Sequence, residues 1–365
     1  MLSSLLLYLC NMTNEVFKDL IVVELASVLA GPAVGMFFAE LGATVYKIEN
    51  KLTNGDVTRS WKHPSENKES KTSAYYHSVN WGKEVLFRNL KDASDKQEVY
   101  SLIKKADIVI SNFRHQSALN LRMDYNSIKE INPNIIYGLI TAYGEEDSRP
   151  GFDALIQAET GWMHMNGSAD GPATKMPVAL IDILTAHQLK EGILVALIQK
   201  LKTGKGSKVS VSLYDTAIAS LANQGSNYLN LNLIPRRKGS LHPNIAPYGE
   251  VIKSKDGKLF LLAIGNDKQF KSLCTILNIA SRGTDSRFTT NQERLSNRKE
   301  LLSILNTASR ELHSEEISEG ILEHGIPMGP INNLETVFQN KASHKLLLEH
   351  QSKAKSIRTA VFKLG

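Results

Sequence analysis

The sequence predicts an α/β fold in which helices cover an open, mostly parallel sheet. LIVVEL, at residues 20–25, has the length and the β-branched side chains of a buried strand. A turn, an apolar helix over about 33–41 and a second strand at 44–48 follow it, which is the βαβ order of parallel strands. Because strand and helix patterns keep alternating up to residue 144, an open α/β sheet is expected.

The next elements are predicted in chain order from the same patterns. Strands are expected in KEVLFRNL, ADIVISNF and IIYGLITAYG, with helices near 95–105 and 125–131. From 151 to 202 the chain is mostly helical, and SKVSVSLYD predicts one more strand, followed by a helix over 215–231. We therefore predict a large α/β domain over residues 20–225.

A smaller α+β domain is predicted for residues 226–330. At 365 residues the chain exceeds the roughly 250–300 residues that a single hydrophobic core spans. IPRRKGSLHPNIAPYG is rich in Gly, Pro and basic residues, which is typical of a linker. After it, GEVIKSKDGKLFLLAIG predicts a β-hairpin with its turn at Asp256 and Gly257, and helices follow to about residue 325.

The composition argues against several functional classes. The net charge of +6 is spread along the chain, and no recognition-helix, zinc-finger or RNP-like pattern occurs, so we expect no nucleic-acid partner. No stretch has the roughly 18 consecutive apolar residues of a membrane span, so we expect no membrane partner either. The two cysteines, Cys10 and Cys274, cannot build a disulfide framework, which favours a reducing compartment and a cytoplasmic protein.

The start of the chain, MLSSLLLYLCNMTNE, briefly resembles a signal peptide. It lacks a basic first region and a small-residue cleavage site, and its apolar stretch is short. We expect residues 1–19 to be a non-native or disordered extension, with Met12 opening the folded protein.

One carboxylate interrupts an apolar run, VALIDIL. Burial of Asp182 in such surroundings is unfavourable unless the side chain is hydrogen-bonded or paired. Apolar residues recur at helical spacing from 183 to 201 and Gly204 suits a C′ position, so Asp182 is predicted near the start of a helix. Two interpretations remain open on these grounds: a helix N-cap, or a nucleophilic carboxylate at the edge of a cleft.

The first βα junction and scattered cations suggest a phosphate-bearing ligand. SVLAGP lacks the G-x-G-x-x-G spacing of dinucleotide-binding turns, which argues against NAD, yet turns of this kind bind ligands in open α/β sheets. Lys83, Arg59 and Arg114 each fall beside a predicted strand end, where they could contact phosphate.

A resemblance to a known family rests on a series of blocks in a shared order. The blocks are ASVLAGPAVGMFFAELGATVYKIE, GDVTRSW, NWGKE, SNFR, GFDALIQAETGWM, VALIDILTAHQLKEGILVALIQKLKTGKG, HPNIAPYGE, GNDKQF and HGIPMGPINNLETVF. Through them, from about residue 22 to residue 362, the sequence resembles the class III CoA-transferases, also called the CaiB/BaiF or formyl-CoA transferase family.

The resemblance implies an enzyme that moves CoA from an acyl-CoA to a free carboxylate. The nucleophilic aspartate of the family aligns with Asp182, which would form a mixed anhydride and then an aspartyl-CoA thioester. Coenzyme A is then substrate and product, with no need for a metal, NAD or ATP. The resemblance also implies an interlocked homodimer, in which residues 331–365 of each chain return to complete a Rossmann-like large domain.

Site residues are carried over by position. The implied CoA contacts are Val28, Ala30, Lys83, Asn112, Phe113 and Arg114. The implied substrate-facing or oxyanion-stabilising candidates are Phe152, Gln157, Gly265 and Asn266. The sequence departs from the family where two phosphate-binding arginines are expected, because Asn50 and Asn120 stand in their places.

Two alternative functions compete with CoA transfer. The α-methylacyl-CoA racemase branch needs a His directly before the Asp of a G-H-D motif, and Phe152 at this place cannot accept a proton. A non-catalytic CoA-binding relative is disfavoured because Asp182 is present. Within the transferases, QKLKTGKG, HPNIAPYGE and GPINNLETVF look closest to the branch that acts on dicarboxylic acids. There, Arg236 and Arg237 would either bind the distal carboxylate or lie in a solvated linker.

Overall fold

The computed structural model of this chain describes residues 16–363, which divide into two compact units. The large unit has three segments: the chain up to Met163, Lys175–Pro235, and the residues from His344 onward. The small unit has two: His164–Thr174 and Arg236–Ser343. Within the described part, no helix is both long enough and apolar enough to cross a bilayer.

The start of the described chain already packs on the large unit. The N–H of Phe17 donates to the carbonyl of Leu41, and its ring contacts those of Phe37 and Phe38. The large unit therefore begins before residue 20, the predicted boundary. Residues 1–15, which include Met12 and most of the expected extension, lie outside the described residues.

The large unit contains a six-stranded sheet and the helices that connect its strands. Its strands are β1 (Ile21–Leu25), β2 (Thr44–Glu49), β3 (Glu84–Phe87), β4 (Ile108–Ser111), β5 (Ile136–Thr141) and β6 (Ser207–Ser212). Its helices are α1 (Ala30–Glu40), α2 (Ala74–His77), α3 (Ala93–Ile103), α4 (His115–Leu121), α5 (Tyr125–Ile131), α6 (Asp153–Glu159), α7 (Trp162–Met165, which runs into the small unit), α8 (Leu180–Thr203), α9 (Leu213–Ala219) and α10 (Ala222–Leu231).

All strand pairs of this sheet are parallel, in the order β3-β2-β1-β4-β5-β6. The predicted open parallel α/β sheet is confirmed. Because the chain moves outward from β1 to β3 and then returns to the other side of β1 with β4, the strand order reverses between β1 and β4. In open α/β sheets a crevice lies at the carboxyl ends of such a strand pair.

Two apolar layers hold the sheet and its helices together. One layer joins α1, α8 and one face of the sheet, through side chains such as Val22, Phe38 and Ile193. The other layer joins α3, α5 and the opposite face, through side chains such as Val23 and Ile103. Neighbouring residues of β1 point to opposite layers, as the pleat requires. Full burial of each such side chain stabilises the fold by roughly 1.5–3 kcal/mol.

One predicted helix differs from the structure. Residues 215–231 form two helices, α9 and α10, because Ala222 adopts a positive φ of 46° where they meet. The first of them also begins earlier than predicted, since the hydroxyl of Ser212 accepts the N–H of Asp215 and caps the helix start.

The small unit is built on a three-stranded antiparallel sheet and a helical layer. Its strands are β7 (Tyr248–Lys253), β8 (Leu259–Ala263) and β9 (Met328–Pro330), and its helices are α11 (Asp267–Ile276), α12 (Asn291–Ser296), α13 (Arg298–Ser309), α14 (Ser314–His324), α15 (Leu334–Gln339) and α16 (Lys341–His344, which ends in the large unit). The predicted hairpin of β7 and β8 is present, and Gly257 in its turn has a φ of 89°.

The last part of the described chain belongs to the large unit. It forms a short antiparallel pair, β10 (Leu347–Glu349) and β11 (Lys355–Ile357). Beyond β11, the buried carboxylate of Glu40 accepts the N–H groups of Thr359 and Ala360, at 2.8 and 3.0 Å. The change from the small to the large unit occurs at His344, later than residue 331, the boundary implied by the resemblance.

Candidate active site

Asp182 is the third residue of α8, and its side chain is almost completely buried. The N-cap position is occupied by Ala179, whose side chain makes no capping hydrogen bond. The helix start is instead capped from α6, because a carboxylate oxygen of Asp153 accepts the N–H of Ile181 at 2.6 Å and that of Asp182 at 3.4 Å. The N-cap interpretation of Asp182 is therefore wrong, because the carboxylate of Asp153 caps this helix.

Asp153 is itself held by a second buried side chain. The amide nitrogen of Gln157 donates to the other carboxylate oxygen of Asp153 at 2.6 Å, and its amide oxygen accepts the N–H of Met176 at 2.8 Å. The structure thus brings the predicted candidate Gln157 to the site. Both polar atoms of its side chain bind within the chain, in a position that orients Asp153.

The environment of Asp182 disfavours its ionised form. Burial raises the pKa of this carboxyl group to about 7, and the nearby charge of Asp153 adds to the effect. Among residues 16–363, no lysine, arginine or histidine forms an ion pair with it. A buried, unpaired carboxylate costs free energy, and such groups occur preferentially at functional sites.

Tyr75 lies near this carboxylate and contacts a second aromatic residue, and neither residue was identified from the sequence. Burial raises the pKa of Tyr75 to about 12, and the charges of Asp182 and Asp153 contribute, which places the phenol near both carboxylates. The ring of Trp61 meets that of Tyr75 edge-to-face, with 5.2 Å between centroids. No sequence pattern marks Tyr75, because it lies in the four-residue helix α2, far along the chain from residue 182.

The turn between β1 and α1 contains the first two predicted CoA contacts. Val28 has a φ of 73°, in the left-handed region that β-branched residues rarely adopt, and Ala30 is the buried first residue of α1. The side-chain amide of Asn112, at the end of β4, accepts the N–H of Ser27 at 3.1 Å and donates to its carbonyl at 2.9 Å. Val28, Ala30 and Asn112 are therefore brought together at the carboxyl ends of β1 and β4.

A buried network of charged side chains lies beneath this turn. The ammonium of Lys47 contacts Glu24 at 2.9 Å and Asp56 at 3.1 Å, and the ammonium of Lys83 contacts Glu24 at 2.7 Å. All four side chains are fully buried. Opposite charges in contact limit the desolvation penalty that each would carry alone.

Lys83, a third predicted CoA contact, belongs to this network. Besides Glu24, its ammonium donates to the carbonyl of Pro32 at 2.8 Å and to the side chain of Asn80 at 3.0 Å. Burial lowers the pKa of Lys83 to about 7, against the opposing effect of Glu24. The structure places this side chain inside the protein, where it supports α1, because its hydrogen-bonding capacity is already used.

The remaining candidates lie at several places. Phe113 is half-buried and packs on the apolar layer of α3 and α5, while Arg114 is exposed just before α4. Phe152, directly before α6, has 61% of its surface exposed.

Gly265 and Asn266 belong to the small unit, where the N–H of Gly265 donates to the side chain of Gln269 and the side chain of Asn266 caps α11.

The two arginines that could bind a distal carboxylate also lie in the small unit. The guanidinium of Arg237 donates to the carbonyls of Gly171 and His164, at 3.1 and 3.0 Å, and Arg236 is exposed. Arg237 therefore ties two segments of its unit together. Over residues 16–363, no group of three or more His, Cys, Asp or Glu side chains could hold a metal ion.

Comparison with known proteins agrees with the fold. Residues 17–361 match the family model of CoA-transferase family III. A succinate–glutarate CoA-transferase of Agrobacterium fabrum is 38% identical over 87% of this chain and 80% of its own length. The human succinyl-CoA:glutarate CoA-transferase is 36% identical over 87% of this chain and 72% of its own length.

A solved structure shares the whole architecture. The crystal structure of a CaiB/BaiF family protein from Brucella suis superimposes with a TM-score of 0.84 and 35% identity, covering 96% of this chain and 93% of that one. The family match extends over nearly all the described residues, and the fold agrees with it. The chain therefore belongs to CoA-transferase family III, and it is a CoA-transferase enzyme.

Proposed function

We propose that this enzyme transfers CoA from an acyl-CoA donor to a carboxylic acid, with Asp182 as the covalent nucleophile. The observation that carries the proposal is the carboxylate of Asp182 itself, which is buried without a counter-ion while a neighbouring acid, Asp153, caps its helix. A buried acid that serves neither as a cap nor in an ion pair fits the role of a reacting group.

The reaction proceeds in two symmetric halves. The Asp182 carboxylate attacks the thioester carbonyl, the C–S bond breaks, and CoA leaves as a thiolate from a mixed acyl–aspartyl anhydride. The thiolate then attacks the aspartyl carbonyl, and cleavage of the anhydride C–O bond frees the donor acid and leaves an aspartyl-CoA thioester. The acceptor carboxylate repeats these steps in reverse order, which restores Asp182 without net uptake or release of protons.

The surroundings of Asp182 favour the first attack. Raising its pKa from 3.8 to about 7 corresponds to destabilisation of the ionised form by about 4 kcal/mol. Acylation converts this ion into a neutral anhydride, so the desolvation of the ion and its repulsion by Asp153 are relieved as the bond forms. The burial that destabilises the resting enzyme thus assists the chemical step.

We propose dicarboxylic acids and their CoA thioesters, such as succinyl-CoA, as the substrate class. The support comes from relatives named for succinate and glutarate at 36–38% identity. Mass spectrometry of reactions that pair succinyl-CoA, acetyl-CoA or benzoyl-CoA with mono- and dicarboxylic acids tests this. We expect dicarboxylate pairs to turn over at least tenfold faster, and equal rates with monocarboxylates would contradict the assignment.

We also propose that the enzyme is an interlocked homodimer in the cytoplasm. Apolar side chains of the large unit are exposed along α8 and along α10 and the residues after it: Val195, Ile198, Leu201, Leu229, Leu231 and Ile234. Large apolar side chains that a single chain leaves exposed are typical of an interface that a second chain covers. Light scattering on the purified chain should give twice the monomer mass of 40.4 kDa, and a monomer at micromolar concentration would contradict the dimer.

Chemical trapping tests the nucleophile directly. Hydroxylamine added during turnover should cleave the aspartyl intermediates and leave a hydroxamate on Asp182, which peptide mass spectrometry would locate. The matched control is Asp182→Asn, which keeps the side-chain shape and should show neither label nor activity. A label at another residue, or full activity in the variant, would sink the proposed mechanism.

A further inference from the structure

The turn between β1 and α1 is held in a conformation that it would not adopt unaided. Val28, with its φ of 73°, has two methyl groups on Cβ, which makes the left-handed region unfavourable for it. Strained residues persist only where the surrounding structure holds them, and they concentrate at functional sites.

Four side chains from outside the turn hold its backbone. Asp56 accepts the N–H of Val28, with its two carboxylate oxygens at 3.2 and 3.4 Å, and Asn112 pairs with both backbone groups of Ser27. The two buried lysines bind carbonyls on either side: Lys47 that of Ala26 and Lys83 that of Pro32, each at 2.8 Å. Of the four, only Asp56 contacts the strained residue itself.

The charge state of Asp56 suits this task. Burial alone would raise its pKa, but Lys47 and the N–H and hydroxyl of Thr58 outweigh burial and lower it. Thr58 binds at 3.0 Å through its N–H and at 2.8 Å through its hydroxyl. Asp56 is thus fixed in orientation by Thr58 and Lys47, so it can in turn fix Val28.

We propose that Asp56 is a positioning residue for coenzyme A: by binding the Val28 N–H, it keeps the turn in the left-handed form that receives the ligand. The inference rests on the proposed CoA contact of this turn. It goes beyond that contact because Asp56 reaches the ligand only through the backbone of Val28. Without Asp56, the turn relaxes toward the negative φ that valine prefers, and the crevice between β1 and β4 loses its shape.

A glycine at position 28 separates this role from ordinary structural support. Glycine adopts positive φ without strain, so a turn with Val28→Gly keeps its form whether Asp56 is present or not. The loss of Asp56 should therefore matter much less in the glycine background. If Asp56 served only the buried charge network, its removal would have the same effect with either residue at position 28.

The experiment is a double-mutant cycle on the full-length enzyme, read by titration calorimetry with free coenzyme A. We expect Asp56→Ala to weaken CoA binding about tenfold. Asp56→Asn should weaken binding less, because its amide oxygen still accepts a hydrogen bond. In the Val28→Gly background, Asp56→Ala should weaken binding about twofold or less. The KM for acyl-CoA should follow the Kd of CoA, while kcat at saturation changes little. Equal factors in both backgrounds would overturn the proposal.

Controls separate the possible failures. Asp124→Ala removes another carboxylate that caps backbone N–H groups, at the start of α5. Its effect on CoA affinity should be the same whether residue 28 is valine or glycine. If Asp56→Ala does not fold, Asp56→Asn takes its place in the same cycle, with a smaller factor in the Val28 background that should again shrink in the glycine background. Hydrogen exchange of residues 26–32 in the wild-type enzyme, with and without free CoA, tests the contact itself. No protection there would refute the proposed CoA site, whereas protection with an additive cycle would refute only the role of Asp56.

Discussion

A buried carboxylate without a counter-ion is unfavourable for folding, and Asp182 is such a group. Burial is the main cause of its raised pKa, and repulsion by Asp153 is the second. Both effects disfavour the ionised form of Asp182. Because the ionisation of this group affects activity and also folding stability, two separate measurements should report it.

The first measurement is the pH dependence of kcat/KM. In the proposed mechanism only the ionised form of Asp182 attacks, so kcat/KM should fall about tenfold per pH unit below a pKa of about 7. Asp153→Asn removes the repulsive charge, so the acid limb of the kcat/KM profile should move to lower pH. The pKa that it reports should stay above the ordinary range of an Asp side chain, because the burial of Asp182 is unchanged. Glu191→Gln, on the exposed side of α8, serves as the control. An unchanged limb in Asp153→Asn would contradict the coupling.

The second measurement is the pH dependence of stability. The folded-state pKa of Asp182 lies above its unfolded value, so folding is most favoured below about pH 4, and this contribution is lost as the pH rises to about 7. Asp182→Asn cannot ionise, so it should be more stable than the wild type by roughly 2–4 kcal/mol at pH 8 and nearly equal to it at pH 4. Urea unfolding at the two pH values measures this, and a less stable variant at pH 8 would contradict it.

At the scale of elements, one glycine of α1 allows the helix to approach the charge network. A Cβ on Gly35 would lie 1.8 Å from a carboxylate oxygen of Glu24 and 3.3 Å from the side chain of Lys83. Any side chain at this position would therefore displace two fully buried charges from each other. The close packing of α1 on β1 depends on this absence of a side chain.

Gly35→Ala should accordingly lower the free energy of unfolding by about 3 kcal/mol, which is the upper part of the range for overpacked cores. Thermal unfolding of the whole chain measures the loss. Gly329→Ala in β9 is the matched control, because a Cβ there meets no atom within 4 Å and should change stability by less than about 0.5 kcal/mol. Equal effects of the two substitutions would show that the crowding at Gly35 is relieved at little cost.

At the scale of the whole molecule, the fold was predictable because its signals are local. The βαβ order of residues 20–48, the helix that begins near Asp182 and the hairpin turn at Gly257 each follow from short patterns, and the structure contains all three. The two helices within 215–231 were missed because their break depends on the backbone of Ala222, which no residue preference marks.

The site was predictable only in part, because its supporting contacts join distant segments. Asp182 stands out in an apolar run, but its cap, Asp153, is 29 residues away in sequence. The charge network likewise joins Glu24, Lys47 and Lys83, which no spacing rule connects. Lys83 therefore reads from the sequence as a free cation beside a strand, although its partners lie inside the fold.

The attachment of the last residues to the large unit is a further property of the whole chain. Glu40 binds Thr359 and Ala360 through its buried carboxylate. Glu40→Ala leaves these backbone groups without their partner, so unfolding should become about 1–3 kcal/mol easier. Proteolysis near residue 359 should also become faster. Exposed Glu319→Ala, on α14, is the control, and equal proteolysis of the two variants would contradict the anchoring role.

The discontinuity of the large unit has a consequence for synthesis on the ribosome. All six strands of its sheet have been synthesised once residue 212 is made, yet the partners of Glu40 are translated only about 150 residues later. At roughly 5–20 residues per second, the nascent sheet waits on the order of ten seconds or more with that carboxylate unsatisfied. During this interval the growing polypeptide carries an unfinished first domain, and chaperones that recognise exposed apolar segments have time to bind it.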